Sequence, residues 1–390
     1  MRDAVIVDAA RTAVGRGRAG GALSGIHPVD LSALVLQDLA RRNDLDPTLV
    51  DDVIWGVVSQ VGEQTAGVGR YAVLAAGWPE SVPGVTVDRQ CGSSQQAVHQ
   101  AAAGVISGQY DIAIAGGVES MSRVPLGAAA AGGTYGWPYG PRVAERYDGV
   151  AFDQGVGAEM IAERWDLSRT ELDQHALDSH ARAAAAIDEG RFAGQIVPVT
   201  VTDEHGDAHV FEVDEGVRRG STLDRLAGLP SPFREGGRIT AGNASQISDG
   251  SAALLITTSE IAAAHGWTPM ARFHTGTVVG VDPITMLTGP IPATRKVLQR
   301  AGLSLGDIGA FEINEAFASV TLAWLKDTGA DYSLMNPNGG AIALGHPLGG
   351  SGARLMTTLL HHMRDSGIRY GLQSMCEGGG MANATILELL

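Results

Sequence analysis

Val85-Thr86-Val87-Asp88-Arg89-Gln90-Cys91-Gly92-Ser93-Ser94, continued by an alanine-rich run to Ile106 and then by Ile112-Ala113-Ile114-Ala115, carries the pattern on which the fold turns. A β-branched segment at residues 85–88, a tight turn with one cysteine, a helix over residues 93–106 and an apolar strand at 112–115 follow one another. That alternation builds layered α/β proteins. Towards the N-terminus, residues 4–10 and 53–58 read as buried strands, with an amphipathic helix over 29–41 between them. Beyond about residue 120 the texture changes. Pro, Gly, Trp and Tyr crowd residues 132–141, a helical run covers 157–189, and a polar strand-and-turn region follows, the pattern of an inserted lid or loop domain. The α/β texture resumes with a strand at 252–256, and from residue 271 the early order returns. It gives strand 271–277, helix 292–301, strand 308–313, helix 316–325, a glycine-rich turn at 339–352, helix 353–363 and strand 371–375. The expectation is two similar strand–helix-layered halves, residues 1–120 with 247–269 and residues 270–390, with a lid over residues 121–246.

A chain of 390 residues with 44% hydrophobic composition has room for more than one core and for a deep site. Its 53 glycines are dispersed, suggesting tight turns and close backbone approaches. No apolar run is long enough to span a bilayer, and Met1-Arg2-Asp3 opens no secretory signal, so no membrane insertion and a cytoplasmic location are expected. The formal charge of −15 without a basic block argues against a nucleic-acid partner. Lysine occurs only at Lys296 and Lys326, so a phosphate-bearing ligand must be met by arginine or backbone N–H groups. Cys91 and Cys376 cannot form a disulfide framework; one bridge between them is formally open, and free thiols are expected.

Cys91 lies between a strand and a helix, where the helix dipole should lower the thiol pKa and its own N–H can serve as an oxyanion donor. The bland alternative is a buried structural cysteine. His346 is the one histidine in the glycine-rich stretch Asn336–Gly352, where a backbone can approach a ligand and an imidazole can act as base; an ordinary loop histidine is the alternative. Cys376, in Ser374-Met375-Cys376-Glu377-Gly378-Gly379-Gly380, puts a second thiol at a strand end before flexible backbone. Asn314, in Glu312-Ile313-Asn314-Glu315-Ala316-Phe317-Ala318, reads on its own as a helix N-cap.

Together these segments resemble the thiolase family. A Cys-Gly-Ser turn, an Asn-Glu-Ala-Phe segment, Gly-His-Pro in a glycine-rich loop and a C-terminal Cys-x-Gly occur in the family's order, with Thr240-Ala241-Gly242-Asn243-Ala244-Ser245 before them. The resemblance spans essentially the whole chain. It implies a thiolase fold, a homodimer or homotetramer, coenzyme A and acyl-CoA as substrates, and neither a metal nor a permanently bound cofactor. It makes Cys91 the acyl-carrying nucleophile, His346 its base and Cys376 the second acid/base. Asn314 would hold a water that stabilises a thioester enolate with His346, while the N–H groups of Cys91 and Gly378 stabilise the tetrahedral oxyanion. Ser245 and Ala241 would meet the pantetheine arm, and Arg218 the nucleotide end, of coenzyme A. The implied reaction is thiolytic cleavage of a 3-ketoacyl-CoA, or the reverse Claisen condensation.

The chain also departs from the family pattern. Phe152-Asp153-Gln154-Gly155 stands where acetoacetyl-specific members carry His-Met-Gly, leaving longer or branched acyl groups open. Glu377 replaces an apolar residue, and Ser94 and Gln246 replace glycines. Three rivals remain to be weighed. Gly15-Arg16-Gly17-Arg18-Ala19-Gly20 matches a dinucleotide fingerprint but is followed by no apolar helix. A thiolase-fold protein of other activity, ketosynthase-like or lipid-binding, is the second. A cysteine hydrolase is the third.

Overall fold

A computed structural model describes residues 2–202 and 205–390, so Met1 of the opening segment and Asp203 and Glu204 of the expected lid lie outside the described residues. The first half contributes β1 (Val5–Thr12), β2 (Gly15–Arg16), β3 (Asp52–Gly56), β4 (Gly84–Val87) and β5 (Ile112–Ser120). The intervening region adds β6 (Ile196–Val197), β7 (Val199–Thr202) and β8 (Ala208–Phe211), and the first half is completed by β9 (Ser248–Thr257). The second half contributes β10 (Ala271–Gly280), β11 (Ala310–Ile313), β12 (Tyr370–Glu377) and β13 (Met381–Leu389).

Among the described residues, eleven strands form one sheet: nine follow the path β11-β12-β13-β10-β1-β9-β5-β3-β4, with β2 paired to β9 and β6 to β1. Pairing outward from β1 is antiparallel to β9, antiparallel to β5, then parallel to β3. Outward from β10 the same sequence runs: antiparallel to β13, antiparallel to β12, parallel to β11. The halves thus repeat one topology, and they join where Val5 and Ile6 pair with Arg272 and Ala271.

Two helices form the layer between the halves, Ser93–Ser107 and Leu348–Ser366. Ala97, Ala101 and Val105 of the first cluster with Ala353, Met356 and Leu360 of the second, and strand residues of both halves, including Ile6, Leu254, Ala310 and Leu387, pack on them. Leu348–Ser366 is buried along most of its length, and beside its apolar residues it buries Ser351, Arg354, Thr357, Thr358 and His361. At Gly352 a β-carbon would stand 2.3 Å from the Gln95 backbone N, so the close approach of the helices requires glycine there. This corrects the expected turn at 339–352: the helix begins at Leu348 and takes in three of the glycines.

The expected helical run over 157–189 is two helices, Gln154–Arg164 and Arg169–Asp188. Asp166 takes a positive φ of 47°, and Ser168 and Glu171 form a capping box that starts the second helix. Ala158, Ile161, Leu172 and Ile239 share one cluster with Met286, Ala316, Val320 and Ile342, so the region between β5 and β9 packs against the second half. Helix Val68–Ala75 and strand β13 had no sequence expectation. The dinucleotide reading fails on geometry: Gly15 and Arg16 pair with β9, and the next helix starts only at Pro28. Among the described residues no helix is long and apolar enough to cross a membrane.

Candidate active site

Cys91 closes a turn whose shape its neighbours enforce. Gln90 has φ +48°, a left-handed conformation uncommon for a non-glycine residue. The Ser93 hydroxyl accepts from Arg89 N at 2.9 Å and donates to Gln90 O at 2.6 Å, bracing the turn from the first residue of the helix. Cys91 is only 4% exposed. Burial, and then the field of Glu377, push its thiol up to about 12, against hydrogen bonds from its own N–H and the N–H of Gly378. The expected lowering by the helix dipole is therefore overturned, because desolvation of a thiolate outweighs two amide donors. Gly378 begins the turn from β12 to β13, where Gly379 and Gly380 take positive φ.

His346 precedes the other central helix. Its N–H meets Gln246 O at 3.2 Å and Ser248 Oγ at 3.0 Å. Its Nδ1 lies 2.6 Å from Ser351 Oγ, whose own proton goes to Pro347 O at 2.8 Å. Ser351 must then accept, which places a proton on Nδ1 and leaves Nε2 as an acceptor. Burial, then the charge of Arg354, push the imidazole down to about 3, so it is neutral at rest.

Asn314 Nδ2 is 3.3 Å from His346 Nε2, and Asn314 Oδ1 is buried without a partner. Asn314 caps no helix, since the next one starts at Ala318 with Phe317 as its N-cap, so the bland reading falls. An orphaned buried acceptor beside a histidine lone pair suits an ordered water. Cys376, wholly buried at the end of β12, has its thiol pushed well above the ordinary value by burial, then by the fields of Cys91 and Glu377. Both cysteines are free.

A cavity of about 750 Å³ opens onto His346, walled by Met121, Trp137, Phe152, Phe233, Ile247 and Phe317, with Asp153 as its one ionisable carboxylate. Ser245 lines it, and its N–H is held by Ala316 O at 2.9 Å. Ala241 and Arg218 are exposed and lie outside that lining; the backbone N–H of Arg218 meets His180 Nδ1 at 3.1 Å.

Sequence reasoning missed several residues that set this geometry. Ser351, which fixes the tautomer of His346, lies one helical turn beyond it, a placement visible only once the helix is known to start at Leu348. Gln246 donates to Gly216 O, Ile342 O and Ala343 O, and Ser94 Oγ accepts from Ala353 N at 2.9 Å, so both departures from the glycine pattern brace the helix that follows His346 or the segment before it. Glu315 gathers Ser179, Asn336 and the N–H of Ile342. Glu119 accepts from Val58 N, Ser59 N, Gln64 Nε2 and Gly349 N, at 2.7–3.0 Å.

Two buried thiols and a neutral imidazole whose Nε2 accepts, with an apolar cavity that reaches the imidazole, suit acyl transfer. Comparison narrows it. Residues 4–260 match the model of the thiolase N-terminal domain and residues 267–389 that of the thiolase C-terminal domain, so the chain belongs to the thiolase family. It is 51% identical to a steroid 3-ketoacyl-CoA thiolase of Mycobacterium tuberculosis, over 100% of this chain and 95% of the relative. It is 45% identical to a β-ketoadipyl-CoA thiolase of Escherichia coli, over 100% of both. Among solved structures, the Bacillus anthracis acetyl-CoA acetyltransferase superposes with a TM-score of 0.91 at 39% identity, covering 100% of this chain and 99% of that one. The chain is accordingly a coenzyme-A-dependent acyltransferase whose reaction is thiolytic cleavage of 3-ketoacyl-CoA.

Proposed function

We propose that Cys91 carries the acyl group and that the acyl group is bulky and apolar. His346 Nε2 takes the Cys91 proton as the thiolate adds to the 3-keto carbon, and the N–H groups of Cys91 and Gly378 receive the oxyanion. Such donors are each worth about 3 kcal/mol in acyl transfer. The C2–C3 bond then breaks, leaving an acyl-Cys91 thioester and an acetyl-CoA enolate. The enolate oxygen is met by protonated His346 and by a water held at Asn314, and Cys376 protonates its carbon. In the second step Cys376 takes the proton of an incoming coenzyme A thiol, whose sulfur displaces Cys91. Because the resting thiol and imidazole are both neutral, ionisation is coupled to arrival of the substrate carbonyl in the donors. The geometry at His346 supports this division most directly: Ser351 holds Nδ1 at 2.6 Å, and Nε2 faces Asn314, whose Oδ1 is buried without a partner.

Ser245, lining the cavity, is assigned to the pantetheine arm with Ala241 nearby, and exposed Arg218 to the nucleotide end of coenzyme A. The cavity wall supplies aromatic and aliphatic surface and no arginine or lysine, so a terminal carboxylate has no cation to meet there. That favours the apolar acyl class over dicarboxylic acyl groups. The chain is further assigned to the cytoplasm, and a homodimer or homotetramer is assigned because Tyr135, 93% exposed, offers apolar surface for a second copy to cover. The deciding experiment is coenzyme-A-dependent cleavage of 3-ketoacyl-CoA esters that differ in length, branching and ring content, with 3-oxoadipyl-CoA as the charged comparison. Bulky apolar esters should exceed 3-oxoadipyl-CoA in kcat/KM by about tenfold or more, as expected for one unpaired carboxylate. A preference for the dicarboxylate would overturn the substrate assignment.

A further inference from the structure

Glu377, next to Cys376, is fully buried, and neither of its carboxyl oxygens has a hydrogen-bond partner. Its location is tight. A β-carbon on Gly92 would come within 2.0 Å of Oε1, so the carboxyl lies directly against the backbone of the Cys91 turn and requires glycine there. The groups facing it are few. From the Cys91 turn come Asp88, Arg89 and Cys91 itself; from its own strand, Cys376; from β13, the amide of Asn383, which donates to Gly92 O at 3.0 Å and leaves its own oxygen unpartnered. Arg89 is the one cation, but it makes no ion pair with Glu377: its Nε is buried without a partner and its Nη1 rests 3.8 Å from Met381 Sδ.

A carboxylate in such a place would be an uncompensated buried charge beside two thiols that must each become thiolate during turnover. The protein shows elsewhere how it supports a buried glutamate: Glu119, near the end of the matching strand β5, has four N–H donors on its two oxygens, which oppose the upward push of burial on its carboxyl. We propose that Glu377 is a positioning residue that acts as a neutral acid, filling the space behind the Cys91 turn, and that its loss of a proton restrains ionisation of both Cys91 and Cys376. Burial, opposed by Arg89 and aided by Asp88, brings its own titration up to about 8. Below that pH the group is neutral and leaves the thiols alone; above it, the carboxylate opposes both thiolates.

The inference rests on Cys91 as the acyl carrier, yet its test needs no turnover. Alkylation of Cys91 by iodoacetamide, followed by mass spectrometry of the Cys91 peptide, is measured from pH 6.5 to 9.5 in the wild type and in Glu377→Gln, each normalised to its own rate at pH 6.5. The normalised rate of the variant should pull ahead as pH passes 8, reaching about tenfold, the equivalent of one unit in the thiol pKa. A ratio that stays flat across the range would reduce Glu377 to a packing residue and overturn the proposal, as would a wild type that gains on the variant at high pH. Glu377→Met, apolar and of similar size, provides the same readout should the amide prevent folding. Failure of Cys91 to be acylated by substrate would strike the mechanism and leave the alkylation ratio readable.

Discussion

Strand β5 of the first half and strand β12 of the second occupy the same place in a repeated topology, and each carries a buried glutamate near its end. Glu119 sits among four N–H donors, one of them Gly349 in the helix that follows His346. Glu377 sits among none. The first half has therefore spent this position on a brace that crosses to the second half's helix. The second half has left it unsatisfied beside the first half's nucleophile turn. One topology used twice supplies two strand ends at one site, and the chemistry comes from the way they differ. Each half also delivers one key residue just ahead of a central helix, Cys91 before Ser93–Ser107 and His346 before Leu348–Ser366.

The sharpest way to break this contrast is to exchange the burdens of the two cysteines. Cys91→Ala should lower acyl transfer by about 10⁴-fold or more, since no covalent intermediate can form, and wild type treated with acyl-CoA should carry its adduct on Cys91. Cys376→Ser should still accept an acyl group on Cys91 while losing α-carbon deuterium exchange of acetyl-CoA, because a hydroxyl is a far weaker acid than a thiol near ~8.5. An adduct on Cys376, or exchange at the wild-type rate in the serine variant, would show the two strand ends to be interchangeable. Next in size is a comparison of stabilities. Glu119→Gln replaces one of the two oxygens that receive four N–H donors with an amide that cannot accept, and should lower unfolding stability by about 2–3 kcal/mol in urea titration, whereas Glu377→Gln should cost nothing measurable. Equal losses would erase the distinction drawn between brace and neutral acid. Smallest is Ser351→Ala, which frees the His346 tautomer and should reduce kcat/KM by about tenfold to a hundredfold, part of the contribution of a positioned base. An unchanged value would mean that the imidazole is held by its backbone contacts to Gln246 and Ser248 alone.

The α/β class and the family were legible from short signals. Val-Thr-Val before Cys91 and the alanine-rich run after it were read as strand, turn and helix, and the helix begins at Ser93 as expected. The second half was read less well, for physical reasons. Glycines at 349, 350 and 352 suggested a loop, because glycine disfavours an exposed helix; here they lie in a helix buried against another, where small size matters more than propensity. Met381–Leu389 gave no clear strand signal because alanine and asparagine dilute it, and its pairing on both sides with β10 and β12 comes from tertiary contact. Glu119 escaped notice because its partners lie far along the chain, as with Gly349, 230 positions away, and Ser351 because its nearby partners His346 and Pro347 matter only once the helix is known to start at Leu348. The thiol pKa was misjudged because a sequence reveals a helix N-terminus but not how dry the space around it is.

The order of strands in space against their order in the chain has a consequence for biosynthesis. β9 lies between β1 and β5 but is made after both, and β13 lies between β10 and β12 but is made after both. Neither half can knit its sheet while its own middle strand is still inside the ribosome, and the first must also wait for all the residues between β5 and β9. Until then β1 and β5, and later β10 and β12, present unpaired edges, the kind that join neighbouring chains. Such a polypeptide should depend on holding factors during translation, and slower elongation through residues 121–246 should lengthen that exposure and lower the soluble yield.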